Sequence, residues 1–195
     1  MADLPYGFAV RVPDSWYAFD VARAGRTGDL ARLVDARVAA APELAPHRPV
    51  LLKTLREAAA VAARHGALFG AVMTDHVENA GTVLATLLAL HTPGRAGDTV
   101  ETIASGVTAV PPRPGTPAWR EVSIVELAAG RAVRVRGVET GDLDSVTMQT
   151  LVPIPGGHGV LDLVLTSPHP SLAEPMLDLF DAISATLAWS GPEGE

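Results

Sequence analysis

The chain has 195 residues, 48% of them hydrophobic and 19% charged, enough to bury a substantial core, and a single domain over 1–195 is expected. Its formal charge of -7 argues against a general nucleic-acid or anionic-membrane binder, whose affinity comes from concentrated Lys and Arg meeting phosphates. The absence of cysteine excludes structural disulfides, thiolate metal sites, cysteine nucleophiles and a lipidated amino-terminal cysteine.

The opening stretch Met1–Gly7 has neither a basic segment nor an apolar leader, and no apolar run reaches the roughly 18 residues of a membrane span. A soluble cytoplasmic protein is expected. Phe8, Val10 and Val12 alternate with Arg11, which predicts a strand ended by Pro13. Trp16, Tyr17 and Phe19 continue in an extended aromatic run whose ring area should anchor the first strands to the core. After a loop at 24–28, Leu30, Leu33, Val34 and Val38 fall at helical spacing between Asp29 and Ala40, and Pro42 stops that helix. Pro49 can open a second helix to His65, with Leu51, Leu52, Leu55, Ala58, Ala59 and Ala62 inward and Gly66 at its end. Residues 29–65 therefore read as a helical hairpin.

Two apolar runs follow, Ala67–Met73 and Gly81–Leu90. Both read as strands, although Leu84, Leu87, Leu88 and His91 would also satisfy a helix, so the second stays open between strand and helix. Asp98 is placed to cap a short helix through about Val107. The four prolines between Pro111 and Pro117 forbid regular structure there. Glu121–Leu127 and Arg131–Val138 form a hairpin around Ala128-Ala129-Gly130. Setting Val122 and Ile124 on one face with Val133 and Val135 requires paired residue numbers that sum to an odd value. Gly137, Gly141, Glu139, Asp142 and Asp144 make the next loop.

Val146–Pro153 and Gly159–Thr166 read as a second hairpin, joined by the turn residues Ile154-Pro155-Gly156-Gly157-His158. The period then changes to about 3.6, with Leu172, Met176, Leu179 or Phe180, Ile183 and Leu187 on one stripe. Ser171 and Glu174 fit a capping box, although Pro175 competes for the first helical position and can move the start to about residue 174.

Motifs for chemistry are sparse. Asp75, His76 and Glu78 offer three potential ligands just after a strand, but no H-E-x-x-H or H-x-x-E-H spacing accompanies them, so a solvated turn is expected rather than a metal site. Gly25–Gly28 and Pro155–Gly159 match neither a phosphate loop nor a dinucleotide fingerprint, and no cofactor is expected. No serine lies in G-x-S-x-G, while a triad assembled from distant residues stays open. Arg11, Arg134 and Arg136 all point away from the apolar side of their own strands. Should those strands be neighbours, they would form a basic patch able to fork onto carboxylates of a partner or ligand. Glu121, Glu126 and Glu139 are available to pair with them instead, and simple ion pairing is the expected outcome.

Together the elements predict an α+β fold: an antiparallel sheet of about six or seven strands flanked by helices as an α/β/α sandwich, with the last helix on one face and the 29–65 pair on the other or at an edge. The strand that runs into a Pro-x-x-Trp turn, Phe8-Ala9-Val10-Arg11-Val12-Pro13-Asp14-Ser15-Trp16, and the closing helix Phe180–Leu187 resemble the PsbP-like family. That family takes in the photosystem subunit PsbP, the Ran-binding Mog protein and LpqN-type lipoproteins. The resemblance implies an antiparallel sheet between helical layers and a non-catalytic binding or assembly role. The expected function is a non-enzymatic protein-binding or assembly module with an unidentified protein partner and neither nucleic acid nor membrane. The alternative is a small-molecule-binding protein or enzyme with a pocket beneath the helical pair, its polar groups being Asp75, His76 and His91. Oligomeric state is left open.

Overall fold

A computed structural model describes residues 7–19, 21, 27–40, 42–77, 81–94, 98–109, 119–140 and 144–191. The strands are β1 (Gly7–Ala9), β2 (Trp16–Phe19), β3 (Phe69–Val77), β4 (Gly81–Thr92), β5 (Trp119–Leu127), β6 (Gly130–Glu139), β7 (Ser145–Pro153), β8 (Val160–Ser167) and β9 (Ala188–Ser190). The helices are α1 (Thr27–Ala40), α2 (Arg48–Arg64), α3 (Val100–Ala109) and α4 (Ala173–Ala185). Seven strands form one antiparallel sheet in the order β2-β3-β4-β8-β7-β6-β5, and β1 pairs with β9 in a separate ribbon. The α+β sandwich expected from the pattern is the fold observed. Among the described residues no helix is long and apolar enough to cross a membrane.

Parity assigns the two faces. Along β3 and β4, Ala71, Met73, Val83, Ala85 and Leu87 join the cluster under α4, whereas Val72, Leu84 and Leu88 join a second cluster with α1 and α2. Following the pairs Leu88 with Val164, Val164 with Gln149, and Gln149 with Val135 carries that second face across the sheet. There Val133, Val135 and Leu151 meet Val100, Ile103 and Val107 of α3. One face is thus roofed by α4. The other is roofed by α1–α2 over β2–β4 and by α3 over β5–β7.

Of the α4 stripe that the spacing predicts, Met176, Phe180 and Ile183 are buried in the helix and Leu187 just beyond it; Leu172 precedes the helix and is partly buried, and Leu177 joins the buried set. At roughly 1.5 to 3 kcal/mol for each large side chain, that stripe is a main part of the gross driving force. The helix starts at Ala173, close to the later start that Pro175 allows. Residues 170–172 form a 3-10 turn and Leu172 precedes the helix with no side-chain cap, so the Ser171–Glu174 box is not made. At α3 the cap is Thr99 rather than Asp98: the Thr102 N–H donates to Thr99 Oγ1 at 3.2 Å and the Thr99 N–H to Thr102 Oγ1 at 2.8 Å.

Other boundaries shift for identifiable reasons. β1 ends at Ala9 rather than Val12, and its partner is the three-residue β9, too short to show a period. β3 continues through Thr74, Asp75 and His76 to Val77, because β4 pairs with it along that whole length; the solvated turn expected there is strand. β4 is a strand to Thr92. Helices cover one of its faces and α4 the other, so its polarity does not alternate and the helical reading arose. The odd-sum register of β5 and β6 is observed, with Val122 opposite Val135 and Ile124 opposite Val133. Gly137 and Glu139, expected in the next loop, are strand, because β7 pairs with β6 as far as Glu139; the proline-rich 111–117 and residues 141–143 lie outside the described residues.

Phe19 and Gly70 illustrate how an edge strand is seated. They are cross-strand partners, and a Cβ on Gly70 would collide with the Phe19 ring, which takes up the space that the missing side chain leaves. Where β4 ends and β8 begins, Gly94 and Gly159 approach so closely that a Cβ on Gly94 would sit 2.6 Å from Gly159 Cα.

Candidate functional site

Among the described residues β5 is the last strand of the sheet. Its β-branched Val122, Ile124 and Val125 favour extension, and Gly130, with φ of 114°, turns the chain back into β6. All nine residues pair with β6 without a bulge, from Trp119 opposite Val138 to Leu127 opposite Gly130. On the α3 side, Val122 packs with Val133 and Val135; on the α4 side, Val125 and Leu127 pack on the main core. Beyond β5, no further strand is paired among the described residues. Trp119 on the α4 side and Ile124 on the α3 side each stay 40% exposed.

Exposed ion pairs line this border. Arg136 forks onto one oxygen of Glu121, its Nε and Nη2 at 2.9 and 2.8 Å from Oε2. Arg131 reaches Glu101 of α3 at 2.7 Å and its cross-strand neighbour Glu126 at 3.3 Å, so two carboxylates share one guanidinium. Glu101 is held below the usual carboxylate range by a backbone hydrogen bond at the helix start and then by Arg131. Arg120 donates through Nη2 to the carbonyl of Val107 at 3.3 Å.

Arg134 and Arg136 lie on one face of β6 and each meets a carboxylate, while Arg11 does not join them. Arg134 projects toward α4, is 6% exposed and pairs with Asp181, while its Nε and Nη2 have no partner among the described residues. Arg136 is the pair of Glu121 described above. Arg11 lies beyond β1 beside the end of α4, its backbone N–H donating to Thr186 Oγ1 at 2.8 Å. The strand that precedes Arg11 pairs with β9 and not with β6, so the condition for a joint patch, neighbouring strands, is not met.

The alternative group also separates. Asp75 is opposite Val83 and His91 opposite Leu161, eight residues along β4, a span of roughly 25 Å in a strand. Asp75 accepts from Arg37 Nη2 at 3.0 Å, and Arg37 Nε donates to the Thr74 carbonyl at 2.8 Å. His76 takes its place opposite Thr82, and His91 Nε2 lies 2.9 Å from the carbonyl oxygen of His158. Among the described residues no three His, Asp or Glu side chains are grouped to hold a metal ion. A cavity does lie beneath the helical pair, between Leu33, Leu51, Leu55, Val72 and Leu84, with Arg37 and Thr74 also lining it; its volume of about 20 Å³ is room for one water rather than for a substrate.

Comparison with known proteins adds a distant likeness of shape. No family model matches the chain, and none of the curated proteins matches it. Among solved structures it is similar to LpqN, described as involved in cell envelope biogenesis of Mycobacterium tuberculosis, with a TM-score of 0.49 and 14% identity over 95% of this chain and 84% of that one. At this TM-score and identity the likeness carries nothing over to this chain.

Two polar groups escaped the sequence reading. Asp162 on β8 is 7% exposed; burial pushes its carboxyl up to about 6, against the lowering effect of a hydrogen bond from Gln149. His169 accepts the Leu84 N–H at Nε2, at 3.1 Å, and burial holds the ring below its ordinary value. Ser167 Oγ donates to the Leu84 carbonyl at 2.7 Å. Since β4 pairs with β8 only from Thr86 onward, these two side chains satisfy the backbone of β4 where the ladder has ended. The alternation of Leu161, Leu163 and Leu165 marks Asp162 as facing away from one core, but does not show that a second core covers the other side.

Proposed function

We propose that the protein is a non-enzymatic binding module that takes a protein partner along the outer border of β5. The observation that carries this reading is a nine-residue strand, paired on one side only among the described residues, with Trp119 and Ile124 each 40% exposed. An added strand would gain main-chain hydrogen bonds for affinity, and alternate side chains would supply selectivity. Trp119, Glu121 and Ser123 present one set on the α4 side, Arg120, Val122 and Ile124 another on the α3 side. The distribution of Asp75 and His91 to opposite ends of β4 gives no support to a shared polar pocket. A photo-reactive residue at position 119 is expected to give a discrete protein adduct that disappears when Ile124→Lys is added. An adduct that persists in that variant, or that forms only from a probe at Val50 on α2, would place recognition elsewhere.

A further inference from the structure

We propose that the partner taken by β5 is a second copy of this chain: two β5 strands pair antiparallel about a twofold axis through Ser123, joining both sheets into one. The inference rests on the binding reading above and goes beyond it by naming the occupant. In an antiparallel pair, facing residues share a side of the sheet. With the axis perpendicular to the sheet, α4 of each copy then lies on one side and α3 of each on the other.

The charges select this centre. Pairing about Ser123 overlaps the whole of Trp119–Leu127 and sets Arg120 opposite Glu126 twice, Val122 opposite Ile124 twice, and Trp119 opposite Leu127 twice. Moving the centre to Val122 or Ile124 places Arg120 opposite Ile124 or Ala128 and loses both charge pairs. Centres at Glu121 or Glu126 set like charges face to face, which is destabilising.

The network within one chain is incomplete in the matching sense. Glu101 and Glu126 share Arg131, and the Glu126 side chain is 78% exposed. Arg120 of the second copy supplies the cation that this acid-base-acid chain lacks. Charges on a border strand commonly discourage pairing; here their order turns the same residues into a match. The exposed Ile124 and Trp119 would be covered by Val122 and Leu127 of the other copy. The opposite border, β2, has four residues and offers less ladder.

Sedimentation velocity of the full chain, from low to high micromolar concentration, tests this. A concentration-dependent dimer is expected. Arg120→Glu alone and Glu126→Arg alone should each weaken it about tenfold or more, since two exposed attractions become repulsions. An equimolar mixture of these two variants should associate again, because every facing pair is then of opposite sign. Ile124→Lys, at an exposed position, should also dissociate the dimer while leaving the circular dichroism spectrum unchanged. A chain that stays monomeric at every concentration overturns self-pairing, yet leaves the binding reading intact if the position 119 adduct with another protein is still lost in Ile124→Lys. A dimer indifferent to all three substitutions overturns self-pairing through β5, and an adduct equally indifferent overturns both.

Discussion

Gln149 donates a 2.7 Å hydrogen bond to Oδ2 of Asp162, diagonally across β7 and β8, while Oδ1 of the same carboxylate is buried with no partner among the described residues. Half of the carboxylate is therefore desolvated without compensation. The folded carboxyl titrates at about 6 against an ordinary 3.8, so between those values the native state holds a proton that the unfolded chain has lost. Stability falls as pH rises through that interval, and the full cost, about 3 kcal/mol, is present above it. Asp162→Asn should be more stable than the parent by about 2 to 3 kcal/mol at pH 8 and nearly equal to it near pH 4. Urea unfolding at the two pH values measures the difference; an equal gain at both would mean that charge is not the cause.

His169 has the opposite sign. Its Nε2 accepts from Leu84, which only the neutral ring can do, and its folded pKa lies below the ordinary 6.5. The unfolded chain binds the extra proton first, so stability is complete above 6.5 and is lost as pH falls from there to the folded value. His169→Ala should cost about 1 kcal/mol at pH 8 and progressively less in acid. An imidazole resonance titrating above 6.5 in the folded protein would contradict the assignment.

The Arg134–Asp181 pair is unequal, since its side chains are 8% and 55% exposed. Removing the acid strands a buried cation; removing the cation leaves a carboxylate that water can reach. Asp181→Ala should therefore destabilise by about 2 to 4 kcal/mol, whereas Arg134→Met should change stability by less than about 1 kcal/mol. Chemical denaturation that ranked them the other way would show that Arg134 is hydrated.

Gly70→Ala should cost about 1 to 3 kcal/mol, because Phe19 must leave its place against the strand. In Phe19→Ala the same substitution should be nearly free, which a double-mutant cycle would record as a coupling of about 1 kcal/mol or more. Additive effects would mean that the ring and the added methyl do not meet.

Local periodicity made most elements legible. The α4 stripe, the β7–β8 hairpin and the parity of the β5–β6 register each depend on residues close in sequence, and each is present as expected. Strand order depends on contacts between distant segments. That β5 lies at the border, and that β1 pairs with β9, cannot be read from the residues of those strands alone. The same cause hid the burial of Arg134, which an alternation pattern assigns to the polar side of a strand although α4 covers that side. Asp75 and His91 looked close because few residues separate them in sequence, yet a twelve-residue extended strand carries its ends far apart.

The face opposite α4 is roofed in two pieces, α1–α2 resting on β2, β3 and β4 and α3 resting on β5, β6 and β7. Thermal fluctuation can accordingly detach either piece while the other remains seated. Protection of amides against deuterium exchange should be greatest along β7 and β8 in the middle of the ladder, and the amino-terminal helices should melt as a cooperative unit of their own.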